Sequence, residues 1–185
     1  MKILGDRISI LEKEDVLSIV ILSTADKKKL MGLFLWLLAW SVCGVIVLAN
    51  YFTLADQKAK LFVIIYMSFW AYFEYNIIKV FLWKRSGKEK IWIQSGQLHY
   101  QREISGRGKI KQYDAHLISK PEIIELSKTS FADTINQSFW VKGGERIKFE
   151  SQGKEVRLAM QISDEEARVI QAEISKFIVK HVGNA

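Results

Sequence analysis

The chain has 185 residues, of which 49% are apolar and 25% charged, with a formal net charge of +7. That length holds one domain, or a small domain with a membrane anchor, at roughly 100–200 residues per domain, and the composition excludes disorder, a collagen-like repeat and a many-helix transporter. A single Cys excludes a disulfide framework and a cysteine-built zinc or iron–sulfur site, and a single Pro with 11 Gly leaves no flexible linker.

Residues 1–29 form an N-terminal segment. Its stretch ISILEKEDVLSIVIL (8–22) is apolar and rich in β-branched side chains. It fits either a strand pair added to the edge of a later domain or an exposed surface for a partner. Residues 1–29 carry Asp6, Glu12, Glu14 and Asp15 and offer only one short apolar run, Val16 to Leu22, which argues against a cleaved signal peptide.

Leu30 to Asn50 then runs LMGLFLWLLAWSVCGVIVLAN without a charge, long enough at ~1.5 Å per residue to span a ~30 Å hydrocarbon core. Leu61 to Trp83 is again long enough, although it carries Glu74, Asn76 and Lys79. With so short a link (Tyr51–Lys60), the two are expected to form an antiparallel transmembrane hairpin over residues 30–83, with helices at 30–50 and 61–83. Lys27, Lys28 and Lys29 before the hairpin and Lys84, Arg85, Lys88 and Lys90 after it outnumber Lys58 and Lys60 in the link. Basic residues favour the cytoplasmic side, so both termini are expected there. Tyr51, Phe52 and Trp83 stand where interfacial aromatics belong.

Glu74 is the informative residue of the hairpin. It sits about two residues from the middle of its helix, where an isolated carboxylate is expensive, so it should be neutral or paired. Lys79 points about 140° away around the helix and is expected to snorkel to the cytoplasmic face. Trp40 and Ser41 reach the depth of Glu74 on the first helix. Glu74 is therefore either satisfied inside the hairpin by the Ser41 hydroxyl or Trp40 indole, or it contacts another membrane subunit or carries a proton. Few polar groups lie near it, which favours a subunit contact over conduction. Ser41 and Gly44 have the small-residue spacing that lets membrane helices approach, and Cys43 reads as an inert apolar residue.

After Lys90 the apolar residues alternate, with turn residues between runs. Strands are expected near Glu89–Gln94, Gln97–Ile104, Lys109–Ala115, Pro121–Ser127, Phe139–Lys142, Glu145–Ser151 and Lys154–Met160, with a polar excursion at 128–138. SDEEARVIQAEISKFIVK (163–180) changes period again. Ser163 and Glu166 form a capping box, Asp164, Glu165 and Glu166 suit the first turn, and Ala167, Ile170, Ile174, Phe177 and Ile178 share one face.

Seven strands and one C-terminal helix follow the order of a pleckstrin-homology (PH)-like fold. The stretch IKFESQGKEVRLAMQISDEEARVIQAEISKFI (147–178) resembles the closing strand pair and helix of bacterial membrane-anchored PH-like domain proteins, uncharacterised families in which a two-helix hairpin precedes the domain. The resemblance covers residues 28 to 180, and the 128–138 excursion departs from it. Photosystem-assembly proteins of chloroplasts and cyanobacteria are similar in layout, more loosely. The expected fold class is α+β: an N-terminal transmembrane helical hairpin, then a PH-like antiparallel β-domain over 84–185 with a C-terminal amphipathic helix. The resemblance implies scaffold, assembly or accessory-subunit work in a membrane complex, with no catalytic residues to carry over.

Enzyme constellations are thin. His99, His116 and His181 lack metal-ligand spacing, and Gly106–Arg107–Gly108 joins two strands and opens no helix on which a phosphate could rest. No catalytic, metal or cofactor site is expected. Arg107, Lys109 and Lys111 alternate and Arg102 approaches from the preceding strand. This basic hairpin is either a solvated face or a site for anionic lipid headgroups or an acidic protein partner. Nucleic acid is not expected, because no exposed aromatics interleave with these charges. The sequence thus points to a non-catalytic accessory, scaffold or assembly subunit whose partners are membrane proteins and the lipid bilayer. The alternative is a membrane-anchored anionic-headgroup binder.

Overall fold

The computed structural model describes residues 1–23, 26–124 and 144–181. The N-terminal segment is sheet: β1 (Lys2–Leu4), β2 (Ile8–Lys13) and β3 (Val16–Leu22) pair antiparallel in chain order. Two helices follow, α1 (Lys27–Tyr51) and α2 (Gln57–Ser86), and then β4 (Gly87–Gln94), β5 (Gln97–Ile104) and β6 (Ile110–Asp114). β4 pairs with β3, Val16 opposite Gln94 and Leu22 opposite Lys88, so the helical pair is an insertion into a β-hairpin within one six-stranded sheet. Backbone N–H of Ser23 donates to Gly87 O at 3.0 Å and closes the sheet where the chain leaves and returns.

β7 (Glu122–Ile123), β8 (Glu145–Ser151) and β9 (Lys154–Met160) form a second antiparallel sheet, and α3 (Asp164–His181) ends the described chain. Of the expected strands, Phe139–Lys142, the last residues of Pro121–Ser127 and the excursion 128–138 lie outside the described residues.

Three two-residue links, Ser95–Gly96, Ser105–Gly106 and Gln152–Gly153, have positive φ at both positions. That is the backbone of the tight hairpin turn whose twist matches its strands, and glycine adopts it without strain. Period-2 alternation then sends Ile8, Ile10, Leu17, Ile19, Ile21, Ile91, Ile93 and Leu98 inward, where they meet Ile147, Phe149 and Leu158 of the second sheet and Ala167, Ile170, Ile174 and Phe177 of α3 in one core. The capping box forms as expected from Ser163. Its backbone N–H donates to Glu166 Oε2 at 2.7 Å, and Glu166 N–H donates back to Ser163 Oγ at 3.2 Å.

The chain divides into two units, Met1–Ala25 with Ser86–Ala185, and Asp26–Arg85. The sequence reading set 1–29 apart as a segment of its own and began the β-domain at 84. In the structure the first 25 residues belong with the sheet, because the inward isoleucines and leucine of β2 and β3 are core residues. Both helices also outrun their expected bounds of 30–50 and 61–83. Asp26 Oδ1 accepts from the backbone N–H of Lys28 (3.0 Å) and Lys29 (3.1 Å), and the Asp56 carboxylate accepts from Lys58 (3.1 Å) and Ala59 (3.2 Å). These caps draw the flanking polar residues into helix.

Candidate functional site

Two places gather the residues singled out by sequence, one in each unit. In the helical pair, α1 and α2 run antiparallel, with Phe34 beside Phe81 (ring centroids 5.8 Å apart) and Ser41 beside Glu74. Ser41 Oγ lies 2.5 Å from Glu74 Oε1 and 2.8 Å from Leu37 O. A hydroxyl has one proton to donate. When it goes to Leu37, the short contact to Glu74 needs a proton on the carboxyl. Glu74 is 9% exposed, and its Oε2 has no hydrogen-bond partner among the described residues. Trp40 contributes backbone and not its indole: its carbonyl accepts from Trp70 Nε1 at 3.4 Å, while its own Nε1 is buried without a hydrogen-bond partner among the described residues.

Sequence reasoning missed Trp70, although it lies one turn before Glu74 on the same face. Its indole covers Gly44 so closely that a Cβ built there would fall 2.2 Å from Trp70 Cζ2. The Ser41/Gly44 spacing thus admits a large aromatic side chain of α2 and not only its backbone. Lys27, Lys28 and Lys29 occupy the first turn of α1, and Lys84 and Arg85 the last turn of α2.

In the β unit, Arg102, Lys109 and Lys111 line one cavity of about 430 Å³, with Tyr100, Tyr113, Glu145, Glu155, Val156 and Arg157. Lys111 pairs with Tyr100 across β5 and β6 and so faces the inner side. Arg107 is not part of this lining. It closes the turn after β5 through reciprocal backbone hydrogen bonds with Ile104 (2.9 and 3.0 Å), so the alternation Arg107–Lys109–Lys111 is interrupted before β6 begins.

The cavity wall is built on Glu89, 1% exposed, which alternates inward with Ile91 and Ile93. Glu89 Oε1 accepts from Tyr100 Oη (2.6 Å) and Arg102 Nε (3.0 Å), and Oε2 accepts from Met160 N–H (2.8 Å). Arg102 Nη2 reaches Glu145 Oε1 at 2.8 Å. Burial, then the charge of Glu89, pushes the Tyr100 phenol above its ordinary range. For Arg102 burial opposes the charge, but Tyr100, Glu89 and Glu145 favour it, and the balance lies upward. Arg157 is held by Glu155 at 2.6 Å, and the bond from Arg157 depresses the Glu155 carboxyl. Lys109 and Lys111 make no ion pair among the described residues. The cavity's uncompensated charge is therefore theirs. Glu89 was legible only as the first inward position of its strand, and its partners Tyr100, Glu145 and Met160 are assembled by tertiary pairing.

Comparison of the chain with protein families, with curated proteins and with solved structures yields no match.

Proposed function

We propose that the chain is a membrane-anchored, non-catalytic accessory or scaffold subunit of a larger bacterial inner-membrane complex, with α1 and α2 as a transmembrane hairpin and both termini cytoplasmic. The observation that carries this reading is the exposure of apolar side chains along helices of 25 and 30 residues, Val45 at 64% and Phe62 at 70% among them. A core helix of a soluble protein buries such residues, whereas a bilayer solvates them. The insertion point supports the hairpin: β3 and β4 are neighbours, so the chain leaves the sheet from one strand and returns to it on the adjacent one. The unfilled acceptor of Glu74 supports an assembly role, because a half-satisfied buried carboxyl in a span marks a contact or a functional site. Two antiparallel sheets sharing a core with a C-terminal helix support a PH-like assignment for the β unit. The test is affinity purification of the full chain in mild detergent. A stoichiometric second polypeptide is expected, and recovery of this chain with no other protein overturns the reading.

The cavity favours a second reading, in which the β unit holds an anionic lipid headgroup or an acidic partner through Lys109 and Lys111. Vesicles containing anionic lipid should then bind the chain more tightly than zwitterionic ones. Lys109→Ala with Lys111→Ala should abolish that preference, while Arg107→Ala, outside the cavity, should leave it intact.

A further inference from the structure

Apart from Glu74, the polar residues in the middle of α2 are not on the side that meets α1. Ser68, Tyr72, Tyr75, Asn76 and Lys79 follow at steps of four, seven, eight and eleven residues, so they form one stripe on the helix. Tyr72 is two residues, about 200° around the helix, from Glu74, which faces α1. It sits at the midpoint of α2, 64% exposed, and Tyr75 is 57% exposed. Neither phenol takes a hydrogen bond among the described residues. Ser68 and Asn76 bond back to their own helix, Oγ to Ile64 O (2.9 Å) and Nδ2 to Tyr72 O (2.8 Å). The corresponding exposed face of α1 is apolar: Leu35, Leu38, Val42, Val45 and Ile46. In a bilayer α1 is therefore dressed for lipid, and α2 presents two unsatisfied phenols at mid-depth, where polar groups normally face protein.

We infer that this stripe of α2 docks a second copy of the chain, the two related by a two-fold axis along the bilayer normal. The inference rests on the membrane-anchored reading and names an occupant for its exposed helix. Serine, tyrosine and asparagine each carry both a donor and an acceptor, so the stripe is complementary to itself. A two-fold along the normal keeps every residue at the depth of its twin, as identical insertion of both copies requires. Lys79 is the one group that is not self-complementary. Its Nζ already rests 4.0 Å from the centre of the Tyr75 ring of its own chain, one turn back along the helix, in place of the snorkelling toward the cytoplasmic end that its sequence position suggested. Phe69 and Phe73, both exposed beside the stripe, supply the apolar contact that two hydroxyl pairs alone would lack.

The experiment is cysteine cross-linking in native membranes. With the native cysteine removed (Cys43→Ala), Tyr72→Cys or Tyr75→Cys is expected to give an oxidative cross-link of twice the chain's mass, and Val45→Cys on α1 to give none. Tyr72→Phe with Tyr75→Phe is expected to weaken dimerisation in detergent about eightfold, the loss of two interhelical hydrogen bonds of average strength. An alkaline carbonate wash of the same membranes tests the anchor separately. A chain that stays in the pellet but forms no dimer, cross-links equally from Val45→Cys, or cross-links only to a different polypeptide overturns the second-copy inference and leaves the anchor standing. A chain released by the wash overturns both.

Discussion

Among the described residues three carboxylates are buried, Glu74, Glu89 and Glu103, and the first two are treated in opposite ways. Glu89, between the sheets, accepts three hydrogen bonds, one of them from a guanidinium that also reaches Glu145. Glu74, between the helices, meets one hydroxyl and leaves its other oxygen unpartnered. The β unit encloses its carboxyl group within a complete hydrogen-bond network, which offsets the cost of burying it. The helical pair has few donors to offer. Its carboxyl is either held by a proton shared with Ser41 or completed by a group from outside the pair. Glu89 is thus a stability residue, and Glu74 is a residue whose role depends on what surrounds the hairpin.

The sharpest way to break this contrast is to remove the countercharge of Glu89. Arg102→Met should cost the β unit about 3–5 kcal/mol, the usual loss when one partner of a buried pair is left alone, read as a lowered denaturant midpoint. Arg107→Met, at the exposed turn, should change that midpoint by no more than ~0.5 kcal/mol. Equal effects from the two would mean that Glu89 is not charge-compensated as described. In the helical pair the largest effect should come from Gly44→Ala, because the new methyl meets the Trp70 indole. About 1–3 kcal/mol of overpacking strain is expected, measured as a lower melting temperature of the detergent-solubilised chain.

Tyr100 links the contrast to pH. Its folded pKa is raised, so the folded state holds the phenolic proton more tightly than the unfolded chain does. The corresponding stability is fully present below the unfolded value of about 10 and is lost as pH rises beyond it toward the higher folded value. Tyr100→Phe should cost about 1 kcal/mol at neutral pH through the lost bond to Glu89 and should flatten the alkaline limb of the stability profile. An unchanged limb would show that the phenol is not held by the network. The smallest effect belongs to Glu74→Gln. The amide can either accept from or donate to the Ser41 hydroxyl, so the pair should lose no more than ~0.6 kcal/mol, while co-purification of partners reports on any role beyond stability. Severe unfolding would place Glu74 with Glu89 and erase the difference.

Much of the fold was legible in local pattern. The uncharged run ending at Asn50, the Gly-bearing turns expected at 95–96, 105–108 and 152–153 and the Ser163/Glu166 box each depend on neighbours within a few residues, and each forms in the structure, the second as the tight link Ser105–Gly106, whereas the turn expected at Gly143–Gly144 lies partly outside the described residues. The juxtaposition of Ser41 with Glu74 was legible for the same reason, since counting along two antiparallel helices fixes depth. The Arg107–Lys109–Lys111 face was not, because alternation places side chains only within a continuous strand and the turn at 104–107 ends one. The membership of β2 and β3 was legible only as one of two alternatives, a strand pair added to the later domain or a surface for a partner, because their place depends on the pairing of β3 with β4, which skips the entire helical insertion.

By itself the sequence determined element type, the presence and polarity of the two apolar helices, several turn positions and the Ser163/Glu166 cap, all of which are short-range consequences of periodicity and backbone freedom. Only the tertiary structure decided that the N-terminal strands and the later sheet are one body, that Glu89 is shared by Tyr100, Arg102 and Met160, and that the polar side of α2 is turned away from α1. These depend on which distant segments pair and on the rotation of one helix against another. Both are set by how the whole set of apolar faces is buried at once.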